Sequence, residues 1–247
     1  MLEIQNLSKT FPEAYAPALE MLNFSLKTGE FCILLGSNGS GKSTLLKTIL
    51  GEHDDYNGEI LVNNEAHKNS KNHIAYVDQN IYGGTISEMT LLENIALSLI
   101  VNKKASFRYY EKFRKEIISI IAELNIGLER YIDQKLSSLS GGQRQIIATL
   151  IAINSAPPLL LLDEHTSALD PKMQNLLMEY TNQKIRETNL TSIMITHKLE
   201  DALNYGDRLI VMHNGKIVFN IYGKEKSSLK KQDLENLFHK LHNFNNY

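Results

Sequence analysis

The sequence holds a single cysteine, Cys32, inside the apolar run FCILLG. Without a second thiol no disulfide can form within the chain, and a buried strand residue in a reducing cytosol is expected. An excess of one charge is also missing. Lys and Arg number 26 against 28 Asp and Glu, for a formal charge of −2, which gives no general pull toward nucleic acid or acidic lipid. No nucleic-acid partner is expected. The most apolar stretch, IIATLIAINSAPPLLLL (146 to 162), is broken by Asn154, Ser155, Pro157 and Pro158, so it falls short of a membrane span. The opening residues MLEIQNLSK have none of the charged start, apolar stretch and small-residue cleavage site of a secretory signal. There is no internal repeat or low-complexity tract. Together these absences lead us to expect a cytosolic chain that meets a membrane only through a partner.

What is present suits an ordinary globular core: 247 residues, 43% of them hydrophobic and 22% charged, enough for one domain with an inserted lobe. Residues 1 to 30 alternate loosely around turn signals at Pro12, Pro17 and KTGE, which predicts short antiparallel strands. FCILL reads as a buried strand. KSTLLKTIL follows at helical spacing and stops at Gly51. NGEILVNN and NHIAYVDQN predict two further strands, the second ending in Gln79. From about residue 81 the pattern turns helical, with a capping box at Thr90 and Glu93 and helical spacing through YYEKFRKEIISIIAELNI. Pro157 and Pro158 end that lobe. Strand LLLL, helix KMQNLLMEYTNQKIRE, strand SIMIT and a hairpin RLIVMHNGKIVF turning at Asn214 and Gly215 complete an α/β pattern. After about 221, Leu234, Leu237, Phe238 and Leu241 fall at helical intervals, which predicts one amphipathic helix with a frayed end.

Two glycine loops carry the chemistry. GSNGSGKST comprises Gly36, Ser37, Asn38, Gly39, Ser40, Gly41, Lys42, Ser43 and Thr44, and its first eight residues fit G-x-x-x-x-G-K-[ST] between a strand and a helix. Glycines let successive backbone N–H groups turn toward a β-phosphate, and the helix N-terminus adds partial positive charge. Lys42 is expected to reach the β- and γ-phosphates and Ser43 to bind Mg²⁺. LLLLDE then ends a buried strand with Asp163 and Glu164 where ligands of α/β folds collect. Asp163 can hold Mg²⁺ through water, and Glu164 can orient or deprotonate the attacking water, a role worth ~10²-fold to 10⁴-fold in rate. The second loop, SLSGGQRQ, would be redundant within one molecule. It makes sense between two head-to-tail copies, where Ser140 and the N–H groups of Gly141 and Gly142, followed by Gln143, face the γ-phosphate held by the other copy's Lys42.

LSGGQ, GSNGSGKST and LLLLDEHTSALD together resemble the ATP-binding cassette (ABC) ATPases over about residues 2 to 220. The resemblance implies an α/β P-loop NTPase fold, an ABC-type RecA-like core with an antiparallel β subdomain and an inserted helical subdomain at about 81 to 157. Residues 221 to 247 would form a C-terminal amphipathic helix and tail. It further implies that Gln79 contacts Mg²⁺ or its water and hinges the helical lobe, that Asp170 makes contact across the dimer, and that His197 touches the γ-phosphate and helps fix Glu164 and the water. The adenine-stacking aromatic maps to Phe11, with Tyr15 as rival. His165 stands where most of the family has proline, either tuning the neighbouring Glu164 or lying in solvent as a loop residue. DEHTSALD, with MTLLENIALS, LSGGQRQ, MITHKLEDAL and RLIVMHNGKI, is similar to a bacterial subgroup of importer ATPases that work with a binding protein and a permease of the branched-chain amino acid type, sometimes linked to uptake of aromatic amino acids such as tryptophan.

The implied cofactors are ATP and Mg²⁺. The implied partners are a second copy of the chain, integral membrane permease subunits whose coupling helix would meet the groove near Gln79, and an extracytoplasmic substrate-binding protein, with the chain itself peripheral on the inner face of the cell membrane. Export remains an alternative, since nothing in the chain touches cargo. A relative acting on nucleic acid or the ribosome would carry a coiled-coil insertion, zinc cysteines or two cassettes, and a scaffold that binds ATP without turnover is at odds with Glu164 and His197. The cluster FRYYEKFR (107 to 114) could stack on nucleic acid but is better read as an amphipathic helix face.

Overall fold

The computed structural model describes residues 1–66, 74–79, 84–99 and 109–243. The chain divides into two units, Met1–Ile74 with Asn189–Tyr247, and Ala75–Thr188. In the first unit β1 (Leu2–Lys9) and β2 (Leu19–Leu26) pair antiparallel, with register shifts along the way. Leu2 and Ile4 face inward; then Asn6, at φ 50, adds a residue, so that Leu7 and Lys9 continue the inward row. Without that bulge the later apolar residues would turn to water. Side chains take up the displaced backbone donors: Asn6 N–H donates to Asn23 Oδ1 at 2.9 Å and Met21 N–H to Ser8 Oγ at 2.9 Å. β3 (Phe31–Gly36) is buried along its whole length. After it come α1 (Lys42–Leu50), capped by Gly51 as expected, β4 (Asn57–Val62) and β5 (Glu65–Ala66). The four-stranded sheet runs β2-β1-β4-β5.

β6 (Ile74–Val77) leads into the second unit and stops two residues short of Gln79, which sits in the bend beyond it. α2 (Leu91–Leu99) opens on the expected capping box. Thr90 N–H and Oγ1–H donate to Glu93 Oε2 at 2.8 and 2.9 Å, and Glu93 N–H returns to Thr90 Oγ1 at 3.2 Å. α2 packs on α3 (Tyr109–Ala122) and α4 (Gly141–Asn154) through buried Leu91, Leu92, Ile95 and Ala96. At the described end of the FRYYEKFR cluster, Phe113 is buried and Arg114 pairs with Asp133 at 3.1 Å, an amphipathic arrangement; residues 107 and 108 lie outside the described residues. β7 (Leu159–Asp163), buried at every position, neighbours β6, and α5 (Pro171–Thr188) follows.

The chain returns to the first unit with β8 (Thr191–Ile195), α6 (Leu199–Asn204), β9 (Arg208–His213) and β10 (Lys216–Tyr222). β3 lies between β8 and β9 and parallel to both, while β10 joins β9 antiparallel through Asn214 and Gly215, at φ 46 and 74. Both residues being left-handed matches the twist of a two-residue hairpin. Cys32 is buried in β3, which raises its thiol pKa far above the ordinary range.

The end of the chain differs from the single helix expected. β10 runs to Tyr222, a short α7 (Gly223–Ser227) follows, and α8 (Lys231–Asn243) starts anew. Asp233 Oδ2 accepts the Lys230 N–H at 2.9 Å, which caps the new start. The buried Lys226 holds α7 in place by donating to the Leu203 and Tyr205 carbonyls, at 2.9 and 2.7 Å, at the end of α6. Leu234 is buried and α8 packs on α6; the expected frayed end falls on 244–247, outside the described residues. Among the described residues no helix is long and apolar enough to cross a membrane.

Candidate functional site

β3 ends at Gly36 and α1 begins at Lys42, so the first glycine loop lies at the carboxyl end of a strand with parallel neighbours on both sides. Main-chain crowding dictates two of its three glycines. A Cβ on Gly36 would stand 2.4 Å from the Met212 carbonyl oxygen, and one on Gly41, at φ 102, would stand 2.4 Å from that of Ala18. Only glycine fits such approaches. The first turn of α1 holds no acidic residue and receives no side-chain cap from Gly41, so its amide donors and dipole suit an anion. Ser40 Oγ is buried without a hydrogen-bond partner among the described residues. Lys42 Nζ donates to the carbonyls of Gly36 and Ser37, both at 2.9 Å. Asn38, Gly39 and Ser43 are exposed, and Thr44 is half-buried. Uncapped amides, an unsatisfied hydroxyl and a lysine at one loop fit a chain of phosphates.

His197 belongs to the same unit and stands at the exposed turn after β8. Thr196 frames it, donating from Oγ1 to Asp201 Oδ2 at 2.8 Å and accepting the Lys198 N–H at 3.1 Å. An open cavity of about 360 Å³ joins His197 and Leu199 to Gly36, Ser37 and Asn38, and is also lined by Glu235, Phe238 and His239 of α8. The structure thus brings the histidine and the phosphate loop to one wall. Phe11 and Tyr15 separate clearly. Phe11 has Lys9 Nζ 4.5 Å from its ring centroid and His53 edge-on at 5.3 Å, while Tyr15 is fully exposed. Lys9 is itself held by Asp55 at 2.6 Å, a bond that keeps the Asp55 carboxyl below its usual pKa.

The second unit carries the acidic and signature residues. Tyr76 OH donates to the buried Asp163 Oδ2 at 3.4 Å, and Gln79 Nε2 donates to Glu164 Oε2 at 3.1 Å. Glu164 has φ 47, in the left-handed region that a residue with a side chain seldom adopts. Ser140 is the N-cap of α4: its Oγ accepts the Gln143 N–H at 3.2 Å and its own N–H donates to Gln143 Oε1 at 2.9 Å. Ser140, Gly142 and Gln143 share a cavity of about 400 Å³ with Ala168, Leu169 and Asp170. A Cβ on Gly142 would meet Leu169 Cδ2 at 2.9 Å, so the second loop and the SALD turn fit against each other; Gly141 opens the helix beside them. Asp170 caps α5, its Oδ1 accepting the N–H groups of Lys172 and Met173 at 3.0 and 3.1 Å.

His165 is not a solvated loop residue. It is 1% exposed, its Nε2 lies 3.3 Å from the buried Thr181 Oγ1 on α5, and burial pushes its pKa down to about 3. No local pattern signals this, because the partner is sixteen positions away on the far side of a turn. Sequence reasoning also missed Lys9, His53, Tyr76, Gln145 and the α8 residues beside the phosphate loop. Only Phe238, through its helical periodicity, left a trace.

Known proteins resemble this chain throughout. A family model described as ABC transporter matches residues 19–167. The chain is 38% identical over 243 residues to the tyrosine transport ATP-binding protein of Clostridioides difficile, covering 95% of this chain and 97% of that one. It is 36% identical over 222 residues to the sulfate/thiosulfate import ATP-binding protein CysA of Bradyrhizobium diazoefficiens, covering 87% of this chain but 62% of that longer relative. Among solved structures, the ATP-binding cassette MJ0796, determined as a dimer in a post-hydrolysis state with ADP and Pi, superposes with a TM-score of 0.78 at 28% identity over 90% of this chain and 98% of that one. An ATP-binding subunit of an ABC transporter gives 0.80 at 25% identity over 98% and 99%.

Proposed function

The chain belongs to the ABC transporter family as one of its ATPase subunits, and from that premise we propose that two copies close head to tail around two ATP molecules to drive a membrane permease. Loop 36–44 wraps the phosphates, Lys42 exchanges the Gly36 and Ser37 carbonyls for phosphate oxygens, and Phe11 stacks on the base. Ser43, Gln79 and Asp163 offer the oxygen donors that Mg²⁺ takes, an ion whose charge offsets that of the β- and γ-phosphates when bound. Glu164 accepts a proton from the attacking water as its oxygen bonds to the γ-phosphorus. The bond to the β,γ-bridging oxygen breaks, and ADP leaves with that electron pair. His197 donates to the γ-phosphate. Ser140, Gly141, Gly142 and Gln143 of the second copy close the other side, with Asp170 at the seam.

The hydrogen bond from Gln79 Nε2 to Glu164 Oε2, at 3.1 Å, carries this reading. It links the carboxylate to the segment that enters the helical lobe of about residues 81 to 157, where a permease would press, so turnover and transport share one contact. Import of a small solute, with an aromatic amino acid first among candidates, accords with the tyrosine and sulfate relatives and with the DEHTSALD subgroup. The chain then sits in the cytoplasm at the inner face of the membrane, bound to permease subunits that receive cargo from a substrate-binding protein. Glu164→Gln in the full chain should lower hydrolysis by at least ~10²-fold, leave ATP affinity unchanged and trap a dimer with ATP in size-exclusion chromatography. Turnover at the parent rate would remove Glu164 from the reaction.

A further inference from the structure

The turn after β7 holds one residue in a conformation that its side chain resists. Glu164, the base of the proposed reaction, sits at φ 47, a strained region for a side chain with a Cβ, which holds only if its surroundings impose it. The turn closes on itself by a bond from Ser167 N–H to the Glu164 carbonyl at 2.9 Å and another from Leu169 N–H to the Thr166 carbonyl at 3.2 Å. These bonds fix its local shape but not its place in the fold. Side chains do that: Gln79 donates to Glu164 Oε2 at 3.1 Å and Gln174 of α5 to the Leu169 carbonyl at 2.8 Å, and two more hold its ends. Gln145 of α4 accepts the Ala168 N–H at 3.0 Å, holding the far end. At the near end, the residue directly after Glu164 is His165, whose ring is 1% exposed and meets the fully buried Thr181 hydroxyl of α5 at 3.3 Å.

We propose that His165 is a positioning residue: its bond to Thr181 pins the start of the turn to α5 and so holds Glu164 in its left-handed conformation, aimed for proton transfer. This rests on the ATPase role of Glu164 given above. A neutral imidazole serves the purpose because one of its nitrogens donates and the other accepts, whichever tautomer it takes, and a threonine hydroxyl can answer either. Both partners are buried, His165 at 1% and Thr181 at 0% exposure, so the bond lies away from solvent. An apolar side chain could fill the same space but would leave the Thr181 hydroxyl buried and unpaired.

The arrangement separates placement from packing in a way that substitutions can read. Thr181→Val keeps the volume and removes the hydroxyl; Thr181→Ser keeps the hydroxyl. In the full chain, Thr181→Val should lower kcat for ATP by about tenfold with KM within twofold of the parent, and Thr181→Ser should restore most of it. His165→Phe should lose as much, and the double variant should lose no more than either single one, since both break one bond. His165→Gln, which can still reach the hydroxyl, should recover part of the rate. The imidazole nitrogen chemical shifts of His165, recorded without nucleotide, should change in Thr181→Val. A kcat that stays within twofold while only the melting temperature falls would overturn the proposal, as would losses that multiply in the double variant or His165 shifts that ignore Thr181. A parent chain with no ATP hydrolysis at all would instead strike the catalytic reading of Glu164, while the shifts would still decide whether the pin exists.

Discussion

In the first unit the glycine loop at 36–44 takes its shape from the main chain, whereas in the second unit the Asp163 and Glu164 carboxylates and the turn at Ser140 are set by side-chain hydrogen bonds. Gly36 and Gly41 lie where carbonyls of Met212 and Ala18 would touch any Cβ, so the loop is a consequence of strand and helix placement. Glu164 answers to Gln79, Asp163 to Tyr76, Ser140 to Gln143 and Ala168 to Gln145. A main-chain cradle holds a constant shape for an invariant group, the phosphate chain. Side-chain bonds exchange partners at little cost, which suits the proposed function, in which these groups respond to a second copy and to a permease.

The sharpest way to break this contrast is to push a methyl group into the cradle. Gly41→Ala places a Cβ 2.4 Å from the Ala18 carbonyl at a φ of 102, so the loop must move as a body. ATP affinity measured by calorimetry should fall on the order of 100-fold, the scale of one or two lost charge-assisted hydrogen bonds. Unchanged affinity would mean that the loop, too, adapts through its side chains.

The same contrast explains what could be seen in the sequence. A main-chain device needs glycines at fixed spacing, and these stand in GSNGSGKST for any reader, as does the α/β order of strands and helices that presents them. Thr90 with Glu93 was equally visible, because both members of the box lie within one turn. His165 with Thr181, Lys9 with Phe11 and His53, and the approach of Glu235 and His239 to the phosphate loop depend on which elements pack together. Local pattern carries no record of that. The start of α8 is a local feature of another kind: helical periodicity from Leu234 onward registers an apolar face but does not mark the break before it, which Asp233 caps within one turn.

Phe11 tests whether the first unit is wholly a main-chain device, because here it relies on a side chain. The ring is backed by the buried Lys9 ammonium and flanked by His53, which leaves it ordered while still partly open to a base. Phe11→Ala should weaken ATP binding about tenfold, within the ~1–3 kcal/mol that stacking on a base contributes, and leave kcat unchanged. Tyr15→Ala should do nothing measurable. If the two outcomes are reversed, the stacking role belongs to Tyr15 and the Lys9 clamp has another purpose.

The smallest effect should come from a side-chain device in the second unit that touches no reacting group. At the head of α2, Thr90 both donates to and accepts from Glu93, and buried Asn94 ties the preceding segment down through bonds to Ile86, Met89 and Thr90. Thr90→Ala removes one cap while Asn94 keeps the segment in place, so chemical denaturation should report a loss of about 1 kcal/mol, with ATP affinity and kcat unaltered. A fall in kcat would show that the start of α2 communicates with the Gln79 and Glu164 pair. Side-chain bonding in this unit would then act as one connected network, and each bond could no longer be treated as an independent support.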